Sequence, residues 1–321
     1  MKLKINFIFF LLSIISFTYS NAQSISSIST FQDTVTISYL KPKPFSFITN
    51  IPKDAVGVLH GICKKNAIKP ALIMVGSTVL FLLTDEVIAH SVKQFARHNN
   101  ISAAESNINL WTANIAGKQT TLLKLPGNIN TAFYQLGQGL PTILLSTGLF
   151  TFGKIKKDAK AISTANQLAE GFILMGIGTQ LFKRIAGRQT PGSSIDDDSK
   201  WRLFPSTKNF QTNTPNYDAF PSGHLATLMS TVTTLALNYP NKRYIKPVGY
   251  SIIGLVGLSM INNDVHWASD FPFAIGFGYL CAKQVFNRSI KLKPTNINKN
   301  NVTYSVNYFN KQLIPSFVYH F

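Results

Sequence analysis

The chain has 321 residues, of which 45% are hydrophobic and only 14% charged, yet its formal net charge is +18. That length allows one large core, or one domain with short extensions. The low charge density argues against an ordinary water-soluble surface, and no basic block interleaved with aromatics points to nucleic acid, so the positive balance suits an anionic membrane surface or a phosphorylated ligand.

In chain order, Lys2 and Lys4, the apolar run Ile5 to Phe17 and the small-residue stretch Ser20-Asn21-Ala22 read as a secretory signal over residues 1–22, cleaved before Gln23. This places the protein outside the cytoplasm, in the cell envelope or periplasm, associated with a membrane. Residues 23–53 read as an extended arm, with strand-like alternation in Thr34-Val35-Thr36-Ile37-Ser38-Tyr39 before Lys41-Pro42-Lys43-Pro44. From Asp54 the character changes, and Ala55, Val56, Val58, Leu59 and Ile62 predict a short amphipathic helix.

Apolar, helical-looking segments follow at about 71–84, 141–153, 165–182, 224–238, 247–262 and 271–286, within a main domain over 54–290. Asp85 and Glu86 interrupt the first, and Glu170 lies inside the third. Most of these runs are shorter than the ~20 residues a spanning helix needs. The pattern fits either a compact membrane-embedded bundle or an exported helical domain resting on a membrane. Gly192 to Phe220 is long and polar and reads as a loop or lid; its Asp196-Asp197-Asp198 run reads as a solvated loop face, with no carboxylate shell for a metal. After the polar linker, Val302 to Phe309 and Leu313 to Phe321 alternate as a hairpin does, in a tail over 291–321. Cys63 and Cys281 lack metal-type spacing and read as small buried hydrophobes, though a disulfide between them is open in an exported protein.

The chemistry gathers in three short blocks. Lys183 ends an apolar stretch and precedes Gly187-Arg188-Gln189-Thr190-Pro191. Pro221-Ser222-Gly223-His224 opens another, with Ser222 suited to cap a helix whose first N–H groups, at Gly223 and His224, can bind an anion. In His266-Trp267-Ala268-Ser269-Asp270 the acid falls four residues after the histidine, on one helix face, and can hold one ring nitrogen while the other attacks.

In order and spacing these blocks resemble the type 2 phosphatidic acid phosphatase superfamily, which also includes bacterial acid phosphatases and vanadium haloperoxidases. The family pattern is Lys, six residues, Arg-Pro; then Pro-Ser-Gly-His; then Ser-Arg, five residues, His, three residues, Asp. The chain supplies Lys183 and Pro191, then Pro221 to His224, then Ser259, His266 and Asp270, and the resemblance spans roughly 70 to 290. It implies an all-α helical bundle, here with a short β-like N-terminal arm and a hairpin-like tail. It further implies a metal-independent histidine phosphatase with no cofactor, acting on a phosphorylated lipid or isoprenoid. His266 would be the nucleophile oriented by Asp270, and His224 the general acid. Lys183, Ser222 and the Gly223 amide would hold the phosphoryl oxygens. Two positions depart from the family: its phosphate-gripping arginines fall at Thr190 and Met260. Thr190 retains one neutral donor, and Arg188 is the nearest replacement cation, with Arg184, Lys200 and Arg202 further candidates and Asn262 and Asn263 possible amide donors. The alternative to a phosphatase is a protein of the same fold that binds a phosphorylated lipid or glycan with little turnover. Vanadate-dependent halide oxidation fits poorly, because a resident vanadate needs both arginines.

Overall fold

The computed structural model describes residues 35–39, 42–115, 117–194, 199–294, 302–309 and 312–319. The expected signal (1–22) and the triple Asp run lie outside them.

The described residues form eleven α-helices and a little sheet: β1 Val35–Tyr39, α1 Ser46–Thr49, α2 Ile51–Ile62, α3 Ile68–Leu82, α4 Asp85–His98, β2 Asn107–Ile115, β3 Lys118–Pro126, α5 Ile129–Leu136, α6 Gly139–Lys156, α7 Ala159–Ala186, α8 Thr207–Thr212, α9 Gly223–Asn238, α10 Ile245–Asn262, α11 Asp270–Ser289, β4 Ile290–Pro294, β5 Val302–Phe309 and β6 Gln312–Tyr319. The fold is therefore the expected helical bundle. The described residues divide into two compact units, one within residues 38–291, which holds every described helix, and a second that includes β5 and β6. In the latter, β5 and β6 pair antiparallel from Val302–Tyr319 to Phe309–Gln312, the hairpin read from their alternation.

The helices outgrow the apolar runs that predicted them. The run at 165–182 becomes the 28-residue α7, whose N-cap Asp158 accepts from Lys160 N at 2.8 Å and Ala161 N at 3.1 Å. At its other end Gly187 adopts φ 53°, and a Cβ there would fall 1.9 Å from Arg202 O, so only glycine turns the chain out of α7 toward the site. Helices α1 and α2 occupy part of the expected extended arm, with Pro52 pre-set for the first turn of α2 and Asp54 beside its N-terminus.

Helix α9 runs through the middle of the larger unit, packed on α7, α10 and α11. Leu225, Leu228, Met229 and Val232 meet Leu174, Met175, Ile253, Val256, Met260, Phe277, Cys281 and Val285 in one buried cluster. Helix α11 comes close to α9 because residue 278 is glycine: a Cβ there would stand 2.3 Å from Ala226 O. Buried charge adjoins this cluster, where Arg288 Nε donates to Asp54 Oδ1 at 2.8 Å and Arg288 Nη2 to Glu170 Oε1. Both carboxylates are fully buried. Arg288→Met would leave them without their cation, and we expect a loss of about 3–5 kcal/mol in stability, read as a lower denaturation midpoint.

The outer faces are unusually apolar. Leu72 and Ile73 of α3, Leu144 and Ile155 of α6 and Leu181 of α7 are all exposed. The stretches Lys65–Leu82 and Ile245–Asn262 are each long and apolar enough to cross a membrane, the first with 0% and the second with 44% of its window buried. Exposed apolar surface on this scale marks a surface that meets lipid or protein. Cys63 is exposed and Cys281 buried, and neither is in a disulfide, so the expectation of two buried cysteines holds only for Cys281.

Candidate active site

Ser222 is the N-cap of α9, its hydroxyl accepting from Leu225 N at 3.5 Å, as its place in the motif predicts. Gly223 is the first residue of the helix, and nothing lies within 4 Å of where its Cβ would be. The start of α9, whose first N–H groups have no partner within the helix, thus has open space on the Gly223 side, beside His224.

His266 and Asp270 do come together, but not on one helix face. His266 lies in the connection after α10, and Asp270 is the first residue of α11, so a turn brings the pair together. His266 Nδ1 is 3.3 Å from Asp270 Oδ2, which also accepts from Trp267 N at 2.8 Å. The His224 ring stands 6.2 Å from that of His266, between it and Tyr134 at 4.7 Å. Burial, then the nearby His266 and Lys183, lowers the His224 pKa to about 3, so its ring is neutral in the unliganded protein. His224 Nε2 is buried with no hydrogen-bond partner in the protein.

Lys183, in the last turn of α7, is buried, and its Nζ lies 2.9 Å from Asp218 Oδ1 in the long polar loop. The family-equivalent arginine positions are closed to phosphate. Thr190 Oγ1 shares a hydrogen bond with Ser193 Oγ at 3.0 Å, and Met260 is fully buried, with its Sδ 3.6 Å from the Ser222 hydroxyl.

Arg188 corrects an expectation. It does not reach toward an anion: it is fully buried, donating through Nη1 to Asp270 Oδ1 at 2.5 Å and through Nη2 to Asp85 Oδ2 at 2.8 Å. Two carboxylates draw its charge behind the histidine rather than in front of it. The other candidates are also engaged. Arg184 lies 3.8 Å over the Phe210 ring, and Arg202 donates to Asn216 O at 3.2 Å. Lys200 is exposed. Asn263 Oδ1 accepts from Asn130, whereas the Asn262 amide nitrogen is buried with no hydrogen-bond partner.

Helix α5 brings residues that the sequence reading passed over. Tyr134 flanks His224, and Ser259 donates to Asn130 O at 2.7 Å, which ties α5 to α10. Burial and the charge of Glu105 push the Tyr134 phenol up, keeping it protonated as a donor. Among the described residues no group of three or more His, Cys, Asp or Glu is arranged to hold a metal.

Residues 164–292 match the family described as the PAP2 superfamily, a stretch that contains Lys183, the Pro221–His224 block, His266 and Asp270. The resemblance carried by the three blocks is thus found over residues 164–292, the part of the helical core that holds them. A solved structure, the crystal structure of the first transmembrane PAP2 type phosphatidylglycerolphosphate phosphatase from Bacillus subtilis, is 16% identical, with 76% of this chain and 96% of that chain covered at a TM-score of 0.37. So low a score leaves the family match as the finding that bears on function. No curated protein matches the chain.

Proposed function

We propose that the chain is a metal-independent phosphatase of the cell envelope, hydrolysing a phosphomonoester or diphosphate of a lipid or isoprenoid through a phosphohistidine. The observation that carries this reading is the His266–Asp270 pair facing a second, half-buried histidine, His224, at the N-terminus of α9, where Gly223 leaves open space. A pure binding site has little need for two histidines with different partners.

In this mechanism His266 Nε2 attacks phosphorus while Asp270 holds the Nδ1 proton. The bond to the leaving oxygen breaks, and His224 passes that oxygen a proton. His224 then takes a proton from water as the water displaces the histidine, and returns it to the departing phosphate, so that both histidines end in their starting state. The amides at the start of α9 and Lys183 stabilise the charge that develops on the phosphoryl oxygens. The exposed apolar faces of α3 and α6 support a lipid surface as the setting, and the signal-like sequence of residues 1–22 supports export. The test is phosphate release by the full chain in detergent without added metal, comparing phosphatidic acid, an isoprenoid diphosphate and a small aryl phosphate. Release from none of them would sink the reading.

One observation favours the weaker-turnover alternative. Asp218 already neutralises Lys183, and Thr190 and Met260 supply no charge. An incoming phosphate must displace a carboxylate from the lysine. Asp218→Asn is accordingly expected to raise affinity for inorganic phosphate or orthovanadate about tenfold, read by calorimetry. Unchanged affinity would mean that Lys183 does not meet the anion.

A further inference from the structure

We propose that Arg188, clamped by Asp85, is a positioning residue that fixes the carboxylate of Asp270 and through it the imidazole of His266. For its kinetic consequence the inference rests on the phosphatase reading. Its structural basis is separate.

Asp270 has two oxygens with divided tasks. Oδ2 takes Trp267 N and His266 Nδ1, and Oδ1 takes Arg188 Nη1. A carboxylate held at one oxygen only is free to rotate, and the ring it orients rotates with it. Arg188 removes that freedom, and Arg188 is itself fixed. Its Nη2 donates to Asp85 Oδ2 at 2.8 Å and to Ser199 Oγ at 3.1 Å, and its Nη1 reaches Ser269 Oγ at 2.6 Å. Trp201 and Trp267 lie against the guanidinium at 4.8 and 5.7 Å from their ring centroids. Asp85, the first residue of α4, also accepts from Ser269 N at 2.9 Å, so one carboxylate anchors both the arginine and the chain entering α11.

The arrangement explains why Arg188 cannot act as the missing phosphate grip. Both terminal nitrogens are taken, and turning the side chain toward an anion would leave Asp85 and Asp270 buried without a counter-charge. The chain carries its arginine two residues before Thr190, where the family's phosphate-gripping residue falls, and uses the charge on the nucleophile's side instead. Removing it should therefore affect turnover and spare the affinity for phosphate.

The test uses the full chain in detergent with Arg188→Gln, Arg188→Lys and Asp85→Asn. The expected result is a fall in kcat of about 10- to 100-fold in Arg188→Gln and Asp85→Asn, with partial recovery in Arg188→Lys. KM and orthovanadate affinity should stay within about threefold of the unsubstituted chain. In 15N-histidine-labelled protein the Nδ1–H resonance that disappears in His266→Ala should broaden in Arg188→Gln and Asp85→Asn. If Arg188→Gln does not fold, Asp85→Asn decides the matter, because it keeps the arginine. A tenfold or larger loss of orthovanadate affinity at unchanged kcat would place Arg188 on the phosphate and overturn the proposal. A lower melting temperature with kcat and the His266 resonance unchanged would make the cluster purely structural, which also overturns it. If the unsubstituted chain releases no phosphate, the phosphatase reading fails alone, and the His266 resonance in Asp85→Asn still decides the positioning role.

Discussion

His266→Ala is expected to reduce phosphate release to background, a loss of roughly 10⁴-fold or more. Alanine removes the atom that the proposed mechanism uses to form the phosphoenzyme, Nε2 of a ring whose Nδ1 is 3.3 Å from Asp270. The fold should survive, because the Asp270 carboxylate keeps Trp267 N and Arg188 as partners. Orthovanadate binding should fall far less than turnover, since the α9 amides and Lys183 remain. Phosphate release that persists in His266→Ala, at the rate of the unsubstituted chain, would assign the chemistry to another group.

The second large effect concerns His224, and it depends on the leaving group. With an alkyl phosphate, His224→Ala should cost about 10²–10⁴-fold, the usual worth of a positioned general acid. With an aryl phosphate, whose phenolate leaves without a proton, the cost should be far smaller. The pH dependence follows from the lowered pKa. With a value of about 3, His224 is neutral in the free protein at any pH well above that, so it cannot bring its own proton. The proton must arrive on the substrate as the phosphate monoanion, and the negative charge beside His224 then raises its basicity enough to accept and relay it. The value of kcat/KM for an alkyl phosphate should thus be level below a pH of about 6, where a phosphate monoester takes its second proton, and fall about tenfold per pH unit above it. A rate that instead rises with pH through this window would contradict the assignment of His224 as acid.

The parts of this site that could be read from the sequence are those made by neighbours in the chain. The Ser222 cap, the open Gly223 and the His266–Asp270 contact each depend on a few adjacent residues; the first two appear in the structure where their motif placed them, and the third forms across a turn rather than on one helix face. Long-range contacts were opaque. Asp85 looked like an interruption of an apolar run, yet it meets Arg188 across 103 positions. Arg188 looked like a spare cation beside Thr190, and only the fold reveals two carboxylates behind it. Asp218 and Tyr134 carried no local signal, because their partners Lys183 and His224 lie on other helices. The β2–β3 hairpin had a signal that went unused, an alternating stretch on either side of Gly117 at φ 79°. Its register shifts at Trp111 blur that alternation.

The central claim is that His266 carries the phosphoryl group, and trapping that intermediate tests it most directly. The full chain in detergent, mixed with labelled phosphatidic acid and quenched in alkali within the first turnovers, should hold an acid-labile, base-stable phosphate on the peptide containing His266. The label should be missing in His266→Ala and should persist longer when Asp270 is replaced by Asn. Phosphate release without any labelled His266 peptide, or with the label on another residue, would contradict the account.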